Sequence, residues 1–263
     1  MIQTEGMITM PLMDEFKEER EAIKNAPLKT KLIYFFDYYK GHVITAAILL
    51  FVIGSLIHHF ATYKETIFHT VLMNSIRTDE SQDVHPVAFA EMLGVDTDEY
   101  DVHFDTTIYI TDNYYDDAVV ANIQKLVVYQ MAGDVDTLIC EFPRAESYIY
   151  NGALDDITKY MTPEQKEILE PYFLYADQAL VDKLMQAHSE SEVPEEMVCP
   201  DPLKPEEMEN PFPVGISLKD CPSVTNDYYL PEMELNLHIF KCTPNPEYCT
   251  KFIDYICSDL LQP

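Results

Sequence analysis

The sequence predicts a single transmembrane helix followed by an α/β domain. Residues 42–60 form an apolar run that contains no Asp, Glu, Lys or Arg. A bilayer hydrocarbon core is about 30 Å thick and takes a helix of about 20 apolar residues, so this run is long enough to cross it. The alternative is a buried core helix of a soluble protein, but such a helix keeps a polar stripe and this run has none. After the run, strand and helix patterns alternate, which is typical of an α/β sheet.

The basic residues that flank residues 42–60 predict the orientation of the helix. Lys and Arg beside a membrane span stay on the cytoplasmic side. Four of them lie in the twenty residues before the run and two in the twenty after it: Lys24, Lys29, Lys31 and Lys40, then Lys64 and Arg77. We therefore expect an uncleaved signal anchor in the cell membrane, with a cytoplasmic N-terminus and an extracellular C-terminal domain. The lipid bilayer is the first expected partner.

The predicted span divides the chain into four segments. Residues 1–41 are predicted to be a cytoplasmic charged and amphipathic helical segment, and residues 42–60 the transmembrane helix. Residues 61–66 form a linker, and residues 67–263 form the extracellular α/β domain. Within that domain, residues 189–213 are rich in Glu and Pro and lack a periodic apolar pattern. This composition indicates an irregular surface excursion.

The negative charge of the chain lies almost entirely after the span. Residues 61–263 carry 39 of the 46 acidic side chains and 11 of the 17 basic ones. Nucleic-acid binding requires clustered Lys and Arg, so this composition excludes a nucleic-acid partner. It favours a small polar or cationic ligand, or a basic protein partner. The alternative is that the charge serves solubility alone.

All six cysteines follow the span, on the side predicted to be outside the cell. An even number of cysteines in that compartment is compatible with disulfides. Pairing of Cys199 with Cys221, and of Cys242 with Cys249, would each close a short loop. Free buried thiols are the alternative, because Cys140 lies in an apolar strand pattern and Cys257 on a helical face.

The segment after the linker alternates between strand and helix patterns. It predicts strands and helices in turn at 67–75, 86–93, 102–111, 113–131 and 135–140. Residues 102–111 alternate apolar and polar side chains, which is the period of a half-buried strand. Asp112 is the expected N-cap of the long helix, and Gly133 is expected to end it. The short apolar strand at 135–140 is expected to be buried on both faces.

The C-terminal half contains further helix and strand signals. Thr162 and Gln165 have the spacing of a capping box, with proline at the first helical position between them. Three helices are predicted, at 145–150, 163–170 and 175–188. Strands are predicted at 214–218 and 233–241, and a last helix follows Asn245.

Three local patterns of this domain occur in the same order in a known family. They are AGDVDTLI at 132–139, YIYNGALDDIT at 148–158, and the HIFK strand, PNPE turn and following helix at 238–256. The chain resembles the extracellular solute-binding proteins of bacterial importers, which have a type II periplasmic-binding-protein fold. It is more closely similar to membrane-anchored relatives in Gram-positive bacteria. The resemblance implies a reduced binding-protein-like fold and a transport-associated binding module of the envelope. The alternative function is a structural or assembly protein that uses the same fold for protein–protein contacts.

Open α/β sheets bind ligands beyond the carboxyl ends of their strands. The residues that follow the predicted strands are therefore candidates for ligand binding: Asn74, Ser75, Thr111, Asp112, Tyr114, Glu141 and Phe142. The alternative is that Asp112 only caps a helix and that Asn74 and Ser75 only form a turn.

The sequence contains no motif of a familiar enzyme. Glycine-rich phosphate loops are absent, and so are the nucleophile motifs of hydrolases. The histidines after the span are scattered without the spacing of metal ligands: His69, His85, His103, His188 and His238. We therefore expect no catalytic residues, no metal and no cofactor, and a protein that is not an enzyme.

Overall fold

The computed structural model describes residue 24 and residues 26–77, 83–190 and 199–261. The chain divides into two compact units between Tyr63 and Lys64. The predicted charged helix before residue 26 lies outside the described residues, apart from Lys24.

The first unit contains one long helix, α1, which spans Leu28–Thr62. Pro27 precedes it and no proline interrupts it, so the helix runs without a break through the predicted amphipathic segment and the predicted span. Its segment Lys40–Phe60 is strongly apolar, and none of it is buried in the protein. Among the described residues, this helix is long and apolar enough to cross a membrane.

The second unit is built on one mixed sheet of six strands in the order β2-β1-β3-β6-β5-β4. The strands are β1 Glu65–Leu72, β2 Tyr100–Asp105, β3 Thr137–Glu141, β4 Phe173–Asp177, β5 Pro211–Ser217 and β6 Leu235–Ile239. The β2-β1-β3 half is parallel, whereas β6, β5 and β4 join it through antiparallel pairs. The predicted α/β class is therefore confirmed, with a mixed sheet.

Helices cover both faces of this sheet. They are α2 His85–Leu93, α3 Asp117–Ala132, α4 Phe142–Tyr150, α5 Pro163–Leu169, α6 Gln178–Ser189, α7 Pro222–Thr225, α8 Pro246–Ile256 and α9 Ser258–Leu261. Short 3-10 turns lie at Ile157–Tyr160, Glu170–Tyr172 and Pro205–Glu207.

The buried apolar residues form two clusters, one on each side of the sheet. On one side, Phe68 of β1 contacts Phe89 of α2 and Phe252 of α8, with ring centroids 5.0 and 4.9 Å away. On the other side, Val71 of β1 packs with Leu126 of α3 and with residues of α4 and α6. Side chains alternate along a strand, so β1 contributes to both clusters. Residues 137–140 of β3 are buried, as the apolar run predicts.

The strand predicted at 102–111 ends early, at Asp105. The Asp105 carboxylate accepts hydrogen bonds from the backbone N–H and the hydroxyl of Thr107, at 2.8 and 2.6 Å, which turns the chain out of the ladder. The remaining residues keep alternating burial because they run beside the end of β1, where Asn74 pairs with the backbone of Ile110. The alternation of residues 102–111 therefore predicted which side chains are buried, but it did not indicate how far the regular strand extends.

Three helix starts were wrong. The helix predicted at 145–150 begins earlier, at Phe142. The long helix begins at Asp117 with Asp116 as its N-cap, because the Asp116 carboxylate accepts the Ala118 N–H at 2.9 Å. The helix predicted at 175–188 begins only at Gln178. Residues before it form β4, which was missed, and Asp177 caps the helix that follows.

Other local signals were confirmed. Gly133 ends α3 in the left-handed region, with φ of 72°. The capping box is complete, because Thr162 and Gln165 exchange hydrogen bonds of 3.2 and 2.7 Å between side chain and backbone. These two motifs depend on three or four neighbouring residues only, which is why sequence alone is sufficient to predict them.

Candidate functional site

A cleft of about 640 Å³ opens at one edge of the sheet. Strands β3 and β5 end at this edge and β6 and β4 begin there, because β6 is antiparallel to β3 and β5 and β4 is antiparallel to β5. The walls of the cleft come from these strand ends and from the loops beside them: Glu141, Phe142, Pro143, Pro171, Tyr172, Leu174, Pro202, Leu203, Ser217, Lys219, Glu232, Glu234 and Asn236.

The floor of the cleft is held by the strand pairing. Glu141 is the last residue of β3 and immediately precedes α4. Asn236 of β6 lies opposite Cys140 in the ladder, and its buried amide lies 3.4 Å from the Cys140 carbonyl oxygen. On the other side, Asn236 is paired with Ser217 of β5. Residues on three neighbouring strands are therefore fixed relative to each other by backbone hydrogen bonds.

The charge of the cleft is predominantly negative. Glu141 is half-buried, while Glu232 and Glu234 are exposed at the rim. The opposing cation is Lys219, whose ammonium lies 5.4 Å from the centre of the Tyr172 ring. Three carboxylates beside an aromatic ring form a surface that attracts a small cation and repels an anion.

Two of the seven predicted ligand-binding residues line this cleft, namely Glu141 and Phe142. Asn74 has a left-handed φ of 60°, and both its side-chain amide atoms are bonded to the backbone of Ile110, at 3.0 and 2.8 Å. The Ser75 hydroxyl donates to the Tyr228 carbonyl oxygen at 3.0 Å. These contacts are those of a structural turn, which was the alternative interpretation, and the ligand-binding role of Asn74 and Ser75 stays a prediction.

The remaining three predicted residues lie in the loop before α3 and are not among the residues that line the cleft. The Thr111 hydroxyl accepts the Asn113 N–H at 3.3 Å. Asp112 is not a helix cap. It forms an ion pair with Arg144 at 2.6 Å, and this hydrogen bond holds the pKa of Asp112 below its usual value. Tyr114 is 61% exposed.

A second polar cluster lies under α3, where β1 and β2 run side by side. His69 is paired with His103 across the two parallel strands, and Asp105 follows two residues later on the same face. One ligand atom of each of these three side chains lies within 4.8 Å of the others. Sequence analysis missed this cluster because strand register, which cannot be read from spacing, brings His69 to the other two. The His103-x-Asp105 pattern was the available signal, because residues i and i+2 of a strand share a face.

Asp105 is the one acid of this cluster, and its pKa is strongly shifted. Burial alone would raise the pKa of Asp105, but hydrogen bonds from Thr107 and Lys125 lower it well below its usual value. The Lys125 ammonium lies 3.0 Å from Asp105 Oδ2. His69 is too far away for a hydrogen bond, since its Nε2 is 3.9 Å from the same oxygen. The carboxylate therefore stays ionised, with Lys125 as its nearest cation.

The six cysteines are free thiols in the structure, and the two predicted disulfides are absent from it. The Cys221 thiol shares a hydrogen bond with the Cys257 thiol, and this contact together with burial raises the pKa of Cys257. The Cys242 thiol instead contacts the Val135 carbonyl oxygen at 3.7 Å, and the Cys249 thiol contacts the Thr243 hydroxyl at 3.5 Å.

Comparison with known proteins does not assign the chain to a family. No protein-family model, no curated protein and no solved structure matches it. The similarity to solute-binding proteins therefore stays a prediction from the sequence. The fold and the cleft define the chain as a mixed α/β domain that follows an apolar helix and carries an acidic cleft at a sheet edge.

Proposed function

We propose that this protein is a single-pass membrane-anchored binding module whose extracellular domain captures a small cationic ligand. The observation that carries the proposal is the cleft at the ends of β3 and β5, with Glu141, Glu232 and Glu234 on its walls. Its volume of about 640 Å³ lies within the roughly 300–1,000 Å³ that is typical of small-molecule sites. A position at the carboxyl ends of two strands is also where α/β sheets bind ligands.

The chemistry of the walls favours a ligand with separated positive charges and an apolar chain. The carboxylates supply acceptors for ammonium groups, and Phe142 and Tyr172 supply apolar surface between them. Polyamines have this composition, so spermidine is the first probe. We expect Lys219 to repel the ligand's positive charges. The ammonium groups of the ligand should therefore bind on the side of the cleft away from Lys219.

Thermal denaturation of the full chain in detergent, with and without spermidine, tests ligand capture. A ligand present at 100 times its dissociation constant adds about 2.7 kcal/mol to the stability of the folded state. Simultaneous Glu141→Gln, Glu232→Gln and Glu234→Gln substitutions should abolish this gain. The matched control carries Glu91→Gln, Glu164→Gln and Glu167→Gln, which remove the same charge from exposed helix positions. Equal stabilisation of both triple variants would show that spermidine binds to the general negative surface.

The orientation is tested separately. Protease added to intact cells should digest the domain that follows residue 64 and leave residues 1–41 protected. The reverse pattern would place the acidic domain in the cytoplasm. Recovery of the chain in the supernatant after lysis without detergent would contradict the anchor.

The second candidate is a structural or assembly protein of the envelope that contacts other proteins. The observation that favours it is a group of exposed apolar side chains on α3: Val120, Val127, Val128 and Met131, the last being 84% exposed. Groups of exposed apolar side chains are found at protein-binding sites. A photo-crosslinker at residue 128 should then capture one envelope protein in intact cells, whereas the same group at Lys183 should not. Capture at neither position would contradict this candidate.

A further inference from the structure

We propose that His69, His103 and Asp105 form a binding site for a divalent transition metal ion of the zinc type. The site lies between β1 and β2, beneath α3, and is separate from the acidic cleft at the ends of β3 and β5. Lys125 competes with the metal ion for the Asp105 carboxylate. The proposal rests on strand register, on the tautomer of one histidine and on the exchangeable position of Lys125.

Strand register gathers the three ligands. His69 and His103 are neighbours across the parallel β1–β2 pair, and Asp105 is paired with Val71 two residues further along. All three side chains therefore point to the same face, and their ligand atoms lie within 4.8 Å of one another. Zinc bonds of about 2.1 Å place tetrahedral ligands about 3.4 Å apart, so side-chain shifts of about 1 Å close the site. The 3.9 Å between His69 Nε2 and Asp105 Oδ2 is already close to that separation.

The tautomer of His69 is the one that a metal ligand requires. Its Nδ1 lies 2.6 Å from the Asp134 carbonyl oxygen, which can only accept a hydrogen bond. Nδ1 therefore carries the proton, and Nε2 presents a lone pair to His103 and Asp105. Among the residues that the structure describes, this buried Nε2 has no hydrogen-bond partner. Metal-binding histidines are held in this way, with the second ring nitrogen donating to a carbonyl or carboxylate oxygen.

One oxygen of the Asp105 carboxylate can exchange Lys125 for a metal ion. Its Oδ1 accepts the backbone N–H and the hydroxyl of Thr107, which fixes the orientation of the buried carboxylate. Its Oδ2 accepts from Lys125 at 3.0 Å and from the Tyr129 hydroxyl at 3.4 Å, and it faces His69. The Lys125 side chain is 37% exposed, so its ammonium can turn into water while the aliphatic part stays on the surface. A metal ion and Lys125 thus bind the same oxygen alternately.

The ligand set determines the class of metal. Two imidazoles and one carboxylate suit zinc and its neighbours among the transition metals, and they leave a fourth position for water. Calcium and magnesium require sites built from oxygen atoms, which this cluster does not provide.

The test is a metal titration of the full chain in detergent, without a polyhistidine tag and after treatment with a chelator. Calorimetry with Zn²⁺ should give one bound ion per chain, and Co²⁺ should give the visible absorption of a tetrahedral site. His69→Gln and Asp105→Asn should weaken binding by more than the roughly 10–100-fold that loss of an outer-shell partner costs. Lys125→Met should tighten binding, because it removes the competing cation. His188→Gln, at an exposed position in the last turn of α6, is the matched control and should leave binding unchanged.

Several results would overturn the proposal. Sulfur-to-metal charge-transfer absorption of the Co²⁺ complex would assign the ion to the free cysteines. Unchanged affinity in His69→Gln would exclude this cluster, and unchanged affinity in Lys125→Met would contradict the competition. Far-ultraviolet circular dichroism checks that each variant folds. If His69→Gln does not fold, His103→Gln decides, since His103 lies on the edge strand and is only half-buried.

Discussion

The two halves of the sheet use carboxylates in opposite ways. In the parallel half, Asp105 is fully buried beneath α3 and is held by Thr107 and Lys125. In the antiparallel half, Glu232 and Glu234 are exposed at the rim of the cleft. A buried charge that loses its partners is costly, whereas an exposed one is solvated by water. The comparison teaches that the fold depends on the buried carboxylate of Asp105, whereas Glu232 and Glu234 are solvated at the rim and available to a ligand of the cleft.

Loss of the buried carboxylate should have the largest effect. We expect Asp105→Ala to lower the free energy of unfolding by about 4 kcal/mol, because it removes the shared acceptor of four hydrogen bonds, from the Thr107 N–H and hydroxyl, the Lys125 ammonium and the Tyr129 hydroxyl. Urea denaturation of the full chain in detergent, followed by circular dichroism in the presence of a chelator, measures this. A loss below about 1 kcal/mol would show that the two halves do not differ as described.

Acidification should weaken the antiparallel half through one buried histidine. His238 of β6 is fully buried, its Nδ1 donates to the Val214 carbonyl oxygen at 2.9 Å, and burial lowers the pKa of His238 to about 4. In the unfolded chain the pKa of histidine is about 6.5, so the unfolded state binds the proton first as the pH falls. Stability should therefore decrease between about pH 6.5 and pH 4, by about 3 kcal/mol in total, and level off below.

The measurement is the free energy of unfolding against pH for the wild type and for His238→Gln. The difference between the two curves isolates His238 from the other acids of the chain. Parallel curves between pH 4 and 6.5 would contradict the assignment of this effect to His238.

A methyl group on β5 should have a smaller effect. The Cβ of an alanine at position 215 would lie 2.6 Å from two atoms of the His238 ring and 2.9 Å from the Leu237 carbonyl oxygen. We expect Gly215→Ala to destabilise the domain by about 2 kcal/mol, as overpacking of a core does. A double-mutant cycle with His238→Ala should recover part of this loss. Simple additivity would mean that the ring does not oppose the methyl group.

A single substitution at the rim should have the smallest effect on stability. Glu232→Gln is expected to change the free energy of unfolding by less than about 0.5 kcal/mol, because the side chain is exposed. The same variant should reduce the stabilisation by spermidine. If Glu232→Gln lowered the free energy of unfolding by more than it lowered the stabilisation by spermidine, the distinction between the two halves would be contradicted.

The parts of this molecule that were predictable depend on short stretches of sequence. The apolar helix, the capping box at Thr162 and the end of α3 at Gly133 are each specified by neighbouring residues. β4 was missed because Phe173–Asp177 lies between two helix signals and its strand character comes from pairing with β5. Glu141 and Phe142 were predicted because the end of a buried strand can be located from its apolar run. Lys219 and Glu232 lie in the loops that follow β5 and precede β6, and no local pattern of the sequence joins them to Glu141.

The cluster of His69, His103 and Asp105 was missed for the same physical reason. His69 and His103 are far apart in the chain, and only the parallel register of β1 and β2 makes them neighbours. Asp112 illustrates a different error. It was predicted to cap α3, but Asp116 caps that helix and Asp112 forms an ion pair with Arg144.

The buried Asp105 also affects whether the edge of this sheet can pair with a strand of another molecule. Strand β2 is the outermost strand on its side, so one row of its backbone groups has no neighbouring strand within the six-stranded sheet. Natural proteins discourage intermolecular β-pairing at such positions with short strands and with charges directed into the sheet. β2 has six residues and includes His103 and Asp105. We therefore expect this edge strand to resist pairing with a strand of another molecule.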